Sequence, residues 1–190
     1  MKKTAVLLYN LFSNYELSVA LSILEQGKKE FDVFCKNEYA VSEEGLHVKR
    51  GKSLSELVIS EYDSLLLPGC MDLRYVIDDE QIHEFLRNFD LSEHKIASIS
   101  SSPVLLLKAG LLDGKQYIAG ITKEGLLDEG WIEEQLSGMR DVNDLKNDDG
   151  TKTTCLIDGN LLTAIGSDFI NFGIKFGKML GLDFDPGWYK

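Results

Sequence analysis

The stretch "KIASISSSPVLLLKAG", Lys95 to Gly110, changes its hydrophobic period halfway along. Its first part is short and apolar, as a strand covered on both faces is. Its second part has the leucine-rich character of a buried helix, with Gly110 near its end. Three serines, Ser100 to Ser102, and then Pro103 stand at the junction. Proline suits a first helical turn, where its missing N–H leaves no bond unmade. A strand that turns sharply into a helix presents one side chain from the turn. The residues two before and two after it must then be small, because the backbone closes around it. Around Ser100 those positions hold Ser98 and Ser102. The N–H groups that follow the turn favour negative charge there. The competing reading is that Ser101 or Ser102 caps the helix.

Outward from this junction, apolar runs of strand length alternate with helical periods. Residues 4–9, "TAVLLY", read as a strand and 14–27 as a helix with one face formed by Leu17, Ala20, Leu21 and Leu24. Strands follow at 31–36 and 62–69, with a short helix at 53–59 between them. Helices are expected at 78–89, 102–112 and 124–136, and a weaker strand at 116–121. Residues 153–166 read as two β runs joined by Asp158-Gly159-Asn160, a hairpin signal. A last helix covers 167–181, with Ser167 as its cap; its Gly173 and Gly177 permit close packing. The acidic stretch 141–150 lacks the carboxylate spacing of a calcium loop and reads as a solvated turn. Strands apolar on both faces and interleaved with helices imply an α/β, doubly wound, mostly parallel sheet with helices on both faces. In such sheets ligands bind beyond the carboxyl ends of the strands. That rule points at 11–16, 68–73 and 100–103.

The 190 residues suit a single domain, 1–190, with a substantial core. The formal charge of −11 leaves no basic stripe for nucleic acid. The three histidines and three cysteines do not cluster at metal-ligand spacing, so neither a metal site nor a cofactor is expected. The N-terminal apolar run is broken by Asn10 and lacks a cleavage site, and no stretch is long enough to cross a membrane. An odd number of cysteines without an export signal suggests the cytoplasm.

"IASISSSP" followed by "LLLKAGLLDGK" resembles the nucleophile region of the ThiJ/PfpI superfamily, where the turn reads A-I-C-x-G/S-x before a helix ending A-G-L-L-D-G. "AVLLYNLFSNYELSVALSIL", "LSELVISEYDSLLLPG" and "DGNLLTAIGSDFINFGIKFGKMLG" resemble further segments of that family in the same order, over nearly the whole chain. The resemblance implies a class I glutamine amidotransferase-like, flavodoxin-like fold. It puts the family's reactive cysteine at Ser100, its acidic partner at Glu16 and its paired glycines at Gly69 and Cys70. The family's frequent histidine falls near Gly120, and His94, ahead of the elbow strand, belongs at the other end of the sheet. Homodimerisation and a stress-related role come from the resemblance alone.

A serine hydroxyl is a far weaker acid than a thiol and needs a base. Glu16, at an ordinary carboxylate pKa, is a poor one unless burial raises it. Thiol-dependent glyoxalase or deglycase chemistry is therefore not expected at Ser100. Ser13-x-x-Glu16 also fits a capping box, which competes with a pocket-facing Glu16. The expected function is a hydrolase or lyase of a small carbonyl or amide compound. Ser100 and Glu16 would be catalytic, and Gly69, Cys70 and Ser101 would form the oxyanion pocket. The alternative is a non-catalytic small-molecule binding or sensing domain. A third idea makes Cys70 a displaced reactive thiol, against the reading of a small buried hydrophobe. Arg74 in the pocket lining would suit a carboxylate-bearing ligand, but solvated surface is the favoured reading of it.

Overall fold

A computed structural model describes residues 1–147 and 150–189. Among the described residues eight strands form: β1 (Lys3–Leu8), β2 (Phe31–Cys35), β3 (Tyr39–Val41), β4 (His47–Lys49), β5 (Tyr62–Leu67), β6 (Lys95–Ile99), β7 (Cys155–Asp158) and β8 (Leu161–Ala164). Six of them make one sheet in the order β2-β1-β5-β6-β8-β7, parallel throughout except for the β7–β8 hairpin. Residues 4–8 of β1 and 64–67 of β5 are buried whichever way their side chains point, so both faces of the sheet are covered. This is the mostly parallel α/β architecture expected from the alternating runs.

The helices are α1 (Tyr15–Gln26), α2 (Glu80–Leu86), α3 (Pro103–Lys108), α4 (Lys123–Asp128) and α5 (Phe169–Met179). Four of them pack as two pairs, α1 with α5 and α2 with α3. The α1–α5 contact is close because of Gly173 and Gly177. A β-carbon at Gly173 would fall 2.7 Å from Val19 Cγ1, and one at Gly177 would strike Ile23.

Several sequence expectations need correction. The short antiparallel pair β3–β4 was not anticipated, since three-residue strands carry too little alternation to register. The helix expected at 53–59 is two 3-10 turns, Leu54–Glu56 and Ile59–Glu61. Residues 116–121 form no strand. The outer edge of β8 is taken by its own hairpin partner β7, and Ile118 N–H bonds the Thr163 hydroxyl instead. The helix expected over 124–136 stops at Asp128, just ahead of Gly130 at φ +97°. Ser167 caps nothing: it lies within a 3-10 turn, and α5 begins without a side-chain cap. Within the connection expected over 141–150, residues 148 and 149 lie outside the described residues. Its first part is a 3-10 turn, Val142–Asp144, started by the Asp141 carboxylate on Asn143 N–H.

Candidate functional site

Ser100 follows β6 directly, with φ at +62°. A non-glycine residue holds this conformation at a cost of about 1–3 kcal/mol, so its surroundings must impose it. They do so from both sides. Ser100 N–H donates to the Ala164 carbonyl at 2.8 Å, and the Ser100 carbonyl accepts from Gly120 N–H at 2.6 Å. Beneath the turn the hydroxyls of Ser98 and Ser102 lie 2.7 Å apart, and that of Ser102 also reaches the Ile99 carbonyl at 2.7 Å. The two small flanking residues therefore tie the elbow shut as well as fit inside it.

The capping reading of this junction is overturned, because α3 has no side-chain cap. Ser101 is occupied elsewhere. Its hydroxyl accepts Cys70 N–H at 2.9 Å and donates to the Cys70 carbonyl at 3.1 Å. Each of the three serines thus has its own task. Ser100 is presented, Ser101 grips a neighbouring loop and Ser102 braces the turn.

Glu16 lies in the first turn of α1, and the capping box with Ser13 is not formed. The start of α1 is instead met by Glu44, from the turn between β3 and β4, which accepts the N–H groups of Asn14 and Tyr15 at 3.3 and 3.4 Å. Glu16 is thereby free to turn inward, where it is 1% exposed. Its Oε2 accepts Gly69 N–H at 2.6 Å. Burial pushes its pKa up to about 7, against the opposing pull of Gly69 N–H and the neighbouring Ser100 hydroxyl. The Glu43 carboxylate adds to the rise, and the Tyr15 hydroxyl pulls weakly the other way.

The loop after β5 is fixed one peptide unit at a time. In the Pro68–Gly69 unit, Tyr9 donates its hydroxyl to the carbonyl while Glu16 takes the N–H. In the next unit, Ser13 N–H donates to the Gly69 carbonyl at 2.9 Å and Cys70 N–H goes to Ser101. Tyr9 was read only as a strand residue, although its place at the carboxyl end of β1 is where the ligand-site rule points.

Three glycines close around Ser100 and Glu16. A β-carbon at Gly69 would fall 2.5 Å from Ser100 Cβ, and one at Gly120 would fall 3.1 Å from Ser100 Cα. One at Gly166 would strike Glu16 Oε1. Gly120 therefore stands against the elbow where the resemblance set the family's histidine, with main chain in place of a side chain. Gly166 went unremarked in the sequence. Its signal was its position just past β8.

Of the expected oxyanion donors, the N–H groups of Gly69 and Cys70 are both engaged, the first by Glu16 and the second by Ser101. The Cys70 thiol is buried, and burial pushes its pKa up to about 11, which works against a reactive thiolate. Cys35 and Cys155 are also buried. His94 precedes β6 and lies at the far end of that strand from Ser100, while His83 is buried on α2 and His47 sits on β4. Among the described residues no group of three His, Cys, Asp or Glu could hold a metal ion, and no helix is long and apolar enough to cross a membrane. A cleft of about 640 Å³ opens beside Ser100, Ser101 and Gly120, with Met71, Arg74 and Trp131 on its walls.

The chain is 25% identical over 154 residues to "Protein DJ-1 homolog D" of Arabidopsis thaliana, covering 78% of this chain and 37% of that protein. It is 34% identical over 68 residues to "Protein/nucleic acid deglycase 2" of Escherichia coli K12, covering 36% of this chain and 40% of the other. The chain thus spans well under half the length of these two relatives. In structure it resembles a DJ-1 superfamily protein from Agrobacterium tumefaciens, with a TM-score of 0.79 at 19% identity, over 99% of this chain and 94% of that one. A family model matches residues 2–179, and the chain belongs to the DJ-1/PfpI family.

Proposed function

We infer that this chain is a hydrolase or lyase of a small carbonyl or amide compound, with Ser100 as nucleophile and Glu16 as its general base. One observation carries this reading: a strained elbow holds Ser100 against a buried carboxyl whose pKa is raised to about 7. A base of that strength is half ionised at neutral pH, which an exposed glutamate is not. In the forward step Glu16 takes the Ser100 proton as Oγ bonds to the substrate carbonyl carbon, and the carbonyl π electrons move to its oxygen. Collapse expels the amine or alkoxide, which recovers the proton from Glu16. Water then attacks the acyl-serine by the same sequence and frees the acid. Ser101 N–H and, once the Ser101 hydroxyl rotates away, Cys70 N–H would face the oxyanion.

Family membership supports the reaction class, and the deglycase named among the relatives is one such activity. A serine-directed fluorophosphonate should label wild type and spare Ser100→Ala, with a rate that rises through pH of about 7. Equal labelling of both proteins, or of neither, would overturn the assignment. In this reading the chain is one domain, acts in the cytoplasm on a small molecule and forms a homodimer; the last point is supported by the resemblance alone.

The second reading, a non-catalytic binding or sensing domain, is favoured by one feature. The Ser101 hydroxyl already occupies the Cys70 N–H that an oxyanion would use, and Glu16 holds the neighbouring Gly69 N–H. It predicts thermal stabilisation by a carbonyl ligand without turnover.

A further inference from the structure

The cleft beside Ser100 has a charge and an apolar lining that narrow what it can take. At about 640 Å³ it is in the range of sites that enclose drug-sized molecules, and a two- or three-carbon carbonyl would leave most of it empty. Arg74 is the cation on its walls, and its guanidinium is already held two-pronged by Asp72, Nε to Oδ1 at 2.8 Å and Nη2 to Oδ2 at 2.6 Å. Glu129 completes the charged groups of the lining and is exposed. The cleft therefore carries one net negative charge, with Glu16 behind Ser100 as a further acid. Arg74 is 86% exposed, which agrees with its reading as solvated surface, and Asp72 already pairs its guanidinium, so it offers little hold on a carboxylate-bearing ligand.

Away from Ser100, Ser101 and Gly120 the remaining side chains of the lining are mostly apolar and partly open to water. Met71 is 69% and Tyr75 68% exposed on the rim, and Ile121 and Trp131 are half-buried across from them. Large apolar side chains left uncovered around a reactive group are the surface that an apolar ligand would cover.

The geometry points to a substrate whose acyl group is uncharged, apolar and larger than a triose, such as an aromatic or medium-chain acyl amide or ester, with acyl groups that bear a carboxylate rejected. This rests on the reading of Ser100 as the reacting group, and deepens it.

The experiment has a binding arm and a turnover arm. In the first, 4-phenylbutyramide, the isosteric anion 4-phenylbutyrate and acetamide are titrated against the whole chain by ligand-observed NMR, which needs no reaction. The neutral amide should bind at least about tenfold more tightly than either other ligand, because the anion meets like charge and acetamide leaves the apolar wall bare. Trp131→Ala and Tyr75→Ser should each weaken the amide severalfold. Tyr75 is exposed enough that its variant tests the lining without testing the fold. Asp72→Asn should release Arg74 and narrow the preference for the amide over the anion severalfold. Equal binding of amide and anion, or no binding of the amide, would overturn the inference.

In the second arm, 4-nitrophenyl hexanoate should exceed the acetate and the hemisuccinate ester in kcat/KM. Turnover of all three esters alike would sink the acyl preference and leave Ser100 as nucleophile. Selective amide binding with neither turnover nor serine labelling would sink the nucleophile and leave the preference.

Discussion

The hydroxyl of Ser101 and the main chain of Cys70 are bonded twice, through an accepted N–H at 2.9 Å and a donated bond to the carbonyl at 3.1 Å. This clasp joins the elbow to the loop after β5 and fills the position where a carbonyl oxygen would seek its donor. Ser101→Ala should cost about 1–2 kcal/mol, because buried main-chain groups at Cys70 lose their partner. It should also speed fluorophosphonate labelling of Ser100 severalfold by uncovering that N–H. Urea unfolding and labelling rates check the two halves separately, and slower labelling would count against the clasp as a plug.

Glu16 gives the stability of the fold a definite pH dependence. Its folded pKa is raised from the ordinary 4.5 to about 7, so the folded state holds this proton more tightly than the unfolded chain does. The resulting stabilisation is complete below pH 4.5 and is lost as pH rises through about 7. Up to about 3 kcal/mol is at stake. Glu16→Gln, neutral at every pH, should match wild type near pH 4.5 and exceed its urea midpoint at pH 8. Parallel stability profiles for the two proteins would show that Glu16 titrates as an ordinary carboxylate.

Tyr9 acts on Glu16 through one peptide unit, since it bonds the Pro68 carbonyl while Glu16 bonds the following N–H. Tyr9→Phe should cost about 1–2 kcal/mol for the buried carbonyl left unpaired. With the peptide freer to rotate, Gly69 N–H holds the carboxylate less firmly and the Glu16 pKa rises further. The midpoint of the labelling rate against pH should therefore move upward. A purely structural role would lower stability without moving that midpoint.

Gly120→Ala places a methyl 3.1 Å from both the Ser100 Cα and its carbonyl carbon, with main chain on each side. Neither can move without breaking the Gly120 N–H bond to the Ser100 carbonyl. We expect a loss of about 1–3 kcal/mol in urea unfolding, typical of overpacking, together with slower labelling of Ser100. Wild-type values for both would mean that the elbow has slack.

The sheet was legible because β1, β5 and β6 are short, largely apolar runs whose few polar residues set no alternation, and such runs have few folds open to them. Ser100 was legible from the size of Ser98 and Ser102. The hydrogen bond between those two hydroxyls was not, since only the turn brings them together. Glu16 fitted two roles in the sequence, the capping box on the residues alone and the pocket once the family resemblance was counted. The choice is made by Glu44, 28 residues further on, which takes over the N-terminus of α1 and releases Glu16 to the interior. Residues 116–121 had the composition of a strand, and only the β7–β8 hairpin, formed later in the chain, denied them an edge. In each case the undecided reading turned on a partner distant in sequence.

The three glycines that close around Ser100 and Glu16 come from three different loops, and each meets the pair with bare main chain. At Gly69 and Gly166 a new side chain would begin inside atoms already there, and at Gly120 it would press on the Ser100 main chain at 3.1 Å. An imidazole starting from any of these three positions could reach this serine only if the loop that carries it moved outward.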